Sequence, residues 1–267
     1  MKNCGCRVLS GWRVPAVLAL CLIISAAVAR GDSVLLKNGK TVTLKSILWR
    51  DGAKDYQVES AEGDLKASVA PKDIERLDIG KPAEFDKAQQ MVTAGNEDGA
   101  IPLLEGVIEK YKMLLWDVRA RDTLGRIYLK KKNAAKALDT LQPLFAAPAG
   151  PAPAPPGARR AYWDALSAAN RNDDLRKELT AAIATGRRDE AAAALVLRGN
   201  LLRAAGKNEE ALQDYLKTVW FFEEVKDVQP EALFRAAEGL KEVKDARAEE
   251  CRKTLLQKYP DSEFAKK

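Results

Sequence analysis

Groups able to do covalent or acid–base chemistry are sparse in these 267 residues, and their types exclude more than they suggest. No histidine is present, which removes a Ser-His-Asp or Cys-His nucleophile, a His-ligated metal site and an imidazole pH switch. Paired carboxylates occur at Glu209-Glu210, Glu223-Glu224 and Glu249-Glu250. Each pair is interleaved with Lys or Arg, the pattern of a solvated helical face rather than of a general acid and its base. There is no glycine-rich phosphate loop, CxxC pair or nucleophile elbow, and a Ser or Lys without such a setting assigns no reaction. The sequence therefore predicts a protein that binds rather than catalyses, with no cofactor and no metal.

Three of the four cysteines, Cys4, Cys6 and Cys21, fall in a stretch that reads as an address rather than a fold. Lys2, Arg7 and Arg13 have no acidic neighbour; the apolar run VPAVLALCLII follows, then SAAVARGD. That order fits a secretory signal peptide over residues 1–29, cut after Ala29. An apolar run of 11 residues is short for a membrane span, which leaves an uncleaved signal anchor in the inner membrane as the alternative. Leu20 stands where lipoprotein processing needs a small residue, so Cys21 is an ordinary member of the run. The expected location is outside the cytoplasm, in the periplasm. Removing residues 1–29 takes away three basic residues and no acidic one, lowering the formal charge from +6 to +3. So modest a balance in an exported chain predicts no nucleic-acid partner. Only Cys251 remains, four residues before Leu255, and helical spacing predicts that it is buried.

From residue 33 to 80 the apolar pattern has period two. SVLLK and TVTLKSILW flank Asn38-Gly39, a dipeptide that accepts the positive φ of a hairpin turn, and DYQVES, LKASVA and IERLDI follow. Five short strands in under fifty residues suit a small, strongly bent barrel. The segment resembles the small Src-homology-3-like or Sm-like barrels that precede helical repeats in exported bacterial proteins.

Beyond Pro82, Ala, Leu, Glu and Lys take over with helical spacing. In one stretch Leu124, Gly125 and Tyr128 precede Ala137 and Leu141; in another Gly199 and Leu202 precede Gly206, Ala211 and Tyr215. The interval from Gly125 to Ala137 is twelve residues, as is that from Gly199 to Ala211. Ala88 and Ala100 lie 37 residues earlier than the first pair, and Ala236 and Ala248 lie 37 later than the second. A unit between them, residues 158–186, carries Asp174 where the period expects alanine. These positions resemble the tetratricopeptide repeat, in which small residues let the two helices of a hairpin cross closely. The chain end KYPDSEFAKK, with Tyr259, Pro260, Asp261 and Ser262, resembles the close of a helix pair in periplasmic members. The predicted fold class is mainly α: a solenoid of about five helix pairs after a small all-β barrel. Pairs one and two occupy residues 82–146, a Pro/Ala-rich linker residues 147–157, and pairs three to five residues 158–267.

The resemblance implies a scaffold whose first helices line a groove for a peptide or partner helix. Counted from the small residue of each first helix, Arg119, Asp122, Arg126 and Lys130 face that groove in pair two, Asn200 and Arg203 in pair four, and Lys241 in pair five. Such a basic and amide-bearing set can grip an anionic group and a peptide backbone. The alternative is a plain solvated face. The run Trp220-Phe221-Phe222 cannot bury every ring on one helix face, so at least one projects away from its own pair; Trp116 is either core or an interface anchor. The sequence thus predicts an envelope-associated adaptor that binds protein partners. A different reading makes the β module the reader of an envelope polymer, peptidoglycan or polysaccharide, with the repeats as spacer or oligomeriser.

Overall fold

The computed structural model describes residues 31–267 apart from 64 and 146–152. The stretch read as a signal peptide, residues 1–29, and most of the Pro/Ala-rich linker lie outside the described residues. Five strands come first: β1 (Ser33–Leu36), β2 (Thr41–Arg50), β3 (Asp55–Ser60), β4 (Lys66–Val69) and β5 (Ile74–Asp78). They form one antiparallel sheet in the order β4-β3-β2-β1-β5. Asn38-Gly39 makes the first turn, with Gly39 at φ +84°.

β2 is the strand that bends the sheet. Its first half pairs with β1 and its second with β3, and the register slips between Leu44 and Ser46. One extra residue moves the inward phase from Val42 and Leu44 to Ile47 and Trp49, and leaves Leu48 exposed. Tyr56 and Val58 of β3 complete the inner face, with the Trp49 ring edge-on to Tyr56 at 4.9 Å.

Ten helices follow among the described residues, packed in sequence order. They form five antiparallel pairs: α1 (Ala83–Thr93) with α2 (Glu97–Lys110), α3 (Trp116–Lys130) with α4 (Ala134–Leu141), α5 (Ala158–Ala168) with α6 (Asn172–Thr185), α7 (Arg188–Ala204) with α8 (Asn208–Phe221), and α9 (Gln229–Glu242) with α10 (Arg247–Lys258). Each pair turns through one left-handed residue: Gly95, Lys132, Asn170, Gly206 and Lys244. The intervals between these residues are 37, 38, 36 and 38, so the repeat is real but its length breathes. In the first two pairs the next residue, Asn96 or Asn133, caps the second helix by accepting the N–H of Gly99 or Lys136.

Counting from these turns corrects two positions that a fixed period misplaces. Five residues after the turn stand Ala100, Ala137, Leu175 and Ala211, each at most 1% exposed. In pair three the buried residue is thus Leu175, not Asp174, and Trp163 of α5 occupies the place held by Gly125 and Gly199. In pair five α10 starts three residues after Lys244, where the other second helices start two after their turns, and the buried residue is Cys251, whereas Ala248 is only half-buried. Burial pushes the Cys251 thiol pKa up, as expected of a packing residue.

The sheet is keyed to the turn between α2 and α3. Tyr56 donates its hydroxyl to the carbonyl of Met113 (2.9 Å), and Trp116 donates its indole N–H to the carbonyl of Ile79 (2.9 Å). Trp116 is therefore core. At the far end, Phe264 packs against Phe234 with centroids 5.8 Å apart, Ala265 is buried, and Ser262 accepts the Ala265 N–H. The last residues close pair five without forming a further helix.

The crossings make a direct prediction. A Cβ on Gly125 would overlap the buried Leu141 side chain, whereas one on Gly106 of α2 would meet nothing within 4 Å. Gly125→Ala should therefore destabilise by about 1–3 kcal/mol through overpacking, and Gly106→Ala should stabilise by about 0.5–1 kcal/mol through helix propensity. Urea denaturation of the two variants checks both signs.

Candidate functional site

α3 presents Arg119, Asp122, Arg126 and Lys130 at intervals of three and four residues, which places them along one helical face. The N-terminal end of that face opens onto a hollow of about 510 Å³ lined by Lys81, Phe85, Gln89, Trp116, Arg119, Asp122, Thr123 and Pro155. Two first helices, α1 and α3, thus share a wall with the end of the Pro/Ala-rich stretch. Gln89 donates to the Thr123 hydroxyl (3.0 Å) and ties α1 to α3 across the floor. Arg119 lies over the Trp116 ring at 5.4 Å with its guanidinium otherwise open to solvent.

Among the described residues Asp122 is the one acid that lines this hollow. Burial pushes its carboxyl pKa up, and Arg126, one turn on and 3.0 Å away, partly offsets that. Lys130 lies beyond the hollow and pairs with Glu97 of α2 at 2.5 Å.

The C-terminal members of the expected set are placed differently. Asn200 donates to Glu231 of α9 and accepts from the Tyr215 hydroxyl of α8, both at 2.9 Å. Arg203 pairs with Glu242 at 3.0 Å and Glu238 at 3.7 Å. These two side chains bind α7 to its neighbours, while Lys241 is exposed. The six expected residues do not converge on one site: Arg119 lines the hollow, Arg126 borders it, and the other four lie elsewhere.

Residues that the sequence did not single out complete the picture. Lys81, Gln89, Thr123 and Pro155 line the N-terminal hollow. In pair four, Arg198 grips the buried Asp214 through two hydrogen bonds of 2.7 and 2.8 Å. A signal for that pair exists: Arg198 precedes Gly199 where pair two has Leu124 before Gly125, a charge where the pattern expects a core residue. Trp220 and Phe221 project outward, 52% and 66% exposed, while Phe222 packs against the helices. Glu210, Glu223 and Glu224 each pair with a Lys or Arg, in keeping with a solvated surface. Among the described residues no group of three His, Cys, Asp or Glu could hold a metal ion, and no helix is long and apolar enough to cross a membrane.

No protein-family model matches the chain, and no curated protein matches it. Solved structures do. The crystal structure of MamA is similar at a TM-score of 0.50 and 19% identity, over 71% of this chain and all of that one. The crystal structure of a Podosopora anserina protein, described as a kinesin light chain with nearly identical TPR-like repeats, aligns at a TM-score of 0.48 and 15% identity, over 67% of this chain and 96% of that one. At such identity the likeness to MamA is one of fold alone. Together with the five turn-phased helix pairs, it gives the chain a helical-hairpin repeat fold behind a small antiparallel sheet.

The bonds of Asn200 predict a structural role. Asn200→Ala leaves the buried Tyr215 hydroxyl without its acceptor and should cost about 1–3 kcal/mol. Lys241→Ala, at an exposed site, should stay within about 0.5 kcal/mol of the parent. Thermal unfolding of the two variants separates the roles.

Proposed function

We propose that this chain is a non-catalytic scaffold, exported to the periplasm and associated with the envelope, that binds protein or peptide partners along the face of its first helices. The observation that carries this reading is the hollow between α1 and α3. Its lining sets the exposed Arg119, the Lys81 ammonium that pairs with Asp86, and the polar groups of Gln89 and Thr123 beside aromatic rings, the mixture that holds an extended peptide by backbone and carboxylate contacts. Export is supported by the basic, apolar, small-residue order of residues 1–29. The bend in β2, which carries both the β1 and β3 ladders, supports reading residues 33–80 as a small barrel-like module.

The test is capture from envelope extract with residues 30–267, beside the same chain carrying Lys81→Ala and Arg119→Ala. Both side chains are exposed, so the fold should persist. We expect a defined protein whose recovery falls at least tenfold with the double variant, and the chain expressed with its first 29 residues should show a mature N terminus at Arg30 by intact mass. Undiminished recovery of the same proteins would overturn the groove assignment. Capture of a polysaccharide or peptidoglycan instead would favour the β module as the reader of an envelope polymer.

A further inference from the structure

A second hollow, of about 370 Å³, opens between α6, α7 and α8, away from the face assigned above. Its lining includes Arg176 and Thr180 of α6, the Leu201–Leu202 edge of α7, and Lys217 of α8. Four basic side chains, Arg176, Arg198, Lys207 and Lys217, face two acids, Glu210 and Asp214.

Both acids are already engaged. Asp214, with 3% of its side chain exposed, takes both its oxygens to Arg198 and has Lys217 at 3.6 Å; Glu210 pairs with Lys207 at 2.9 Å. Arg198 uses Nε and Nη2 on Asp214, which leaves Nη1 without a hydrogen bond among the described residues, while its side chain stays 24% exposed. Arg176 is exposed and has no ion-pair partner among the described residues. Lys217 holds Asp214 only at the edge of ion-pair range, with nearly half of its side chain in water. The surplus positive charge thus lies on Arg176, Lys217 and the outer edge of Arg198. Beside it run Leu201, Leu202 and Ala205.

We propose that this hollow is a second binding site, which takes an acidic segment of a partner protein with an apolar side chain next to its carboxylate. Charge complementarity selects the carboxylate, and the leucine edge selects its neighbour. The bonds of Arg198 to the buried Asp214 keep the guanidinium fixed before the ligand arrives, so little side-chain freedom is lost on binding. The site does not depend on occupancy of the hollow between α1 and α3.

The probe is an acetylated, fluorescein-labelled octapeptide alternating Glu and Leu, compared by anisotropy with its Gln–Leu counterpart on residues 30–267. We expect saturable binding of the Glu peptide alone, weakened at least tenfold by Arg176→Glu with Lys217→Glu. The charge-matched control Lys226→Glu with Lys253→Glu, two exposed lysines outside the hollow, should change affinity by less than twofold. Circular dichroism and melting curves establish that both variants fold. Equal binding of the two peptides, an equal loss in the control, no binding of the Glu peptide, or a loss of binding with Lys81→Ala and Arg119→Ala would each overturn the proposal.

Discussion

Two helices joined by a short turn can cross closely only where one of them offers little or no side chain at the crossing. That steric condition organises the helical part of this protein. Gly125 lies under Leu141 in pair two, and a Cβ on Gly199 would sit 2.5 Å from a Tyr215 ring atom in pair four. Pair one meets the condition with Ala88 and Ala100, both fully buried. Pair three departs from it: Trp163 and Leu175 hold the two places, and the buried Trp163 indole N–H has no hydrogen-bond partner among the described residues. An unpartnered buried donor costs about 1–3 kcal/mol.

The second organising feature is the turn before α3. Met113 and Leu115 both have positive φ, at 62° and 83°, which L side chains adopt at a cost of about 1–3 kcal/mol each. What holds them is packing on the sheet: the Tyr56 hydroxyl on the Met113 carbonyl, the Lys112–Asp51 pair at 2.6 Å, and the Asp117 carboxylate accepting the Met113 N–H. The other Asp117 oxygen is buried without a hydrogen-bond partner among the described residues, and burial pushes this carboxyl pKa up. Sheet and first helix pairs share one hydrophobic core, in which Val34, Tyr56 and Ile79 continue into Phe85 and Leu104. Removing the sheet would therefore strip a face of the first repeats as well as a module.

Much of this was legible from residue types. Period two and Asn38-Gly39 identify all five strands, and small residues at twelve-residue spacing identify pairs two and four with their crossing residues. A fixed period of 37 fails where the spacing of the turns changes: the interval of 38 from Lys132 to Asn170 displaces the buried position to Leu175, and the interval of 38 from Gly206 to Lys244, with a later start of α10, displaces it to Cys251. Turn length is set by which residue takes the left-handed conformation, and Lys132, Asn170 and Lys244 do so without the glycine that marks Gly95 and Gly206. The groove residues were legible as a face and not as a site. Whether Asn200 or Arg203 is available to a ligand depends on Glu231, Glu238 and Glu242, which arrive from the next repeat some thirty to forty residues later. No local pattern carries that information.

The same long-range pairing gives the two ends of the repeat array different characters. Asn200 and Arg203 spend their donors on α9, whereas Arg119 at the N-terminal end stays open to solvent. Both depend on the crossings that place the helices. The most direct test of that dependence is a double-mutant cycle between Gly199 and Tyr215, measured by urea denaturation with Gly199→Ala, Tyr215→Leu and the pair. If the overlap sets the cost, replacing the ring should relieve it, and the cycle should show a coupling of about 1–3 kcal/mol. Additivity within about 0.5 kcal/mol would contradict the account.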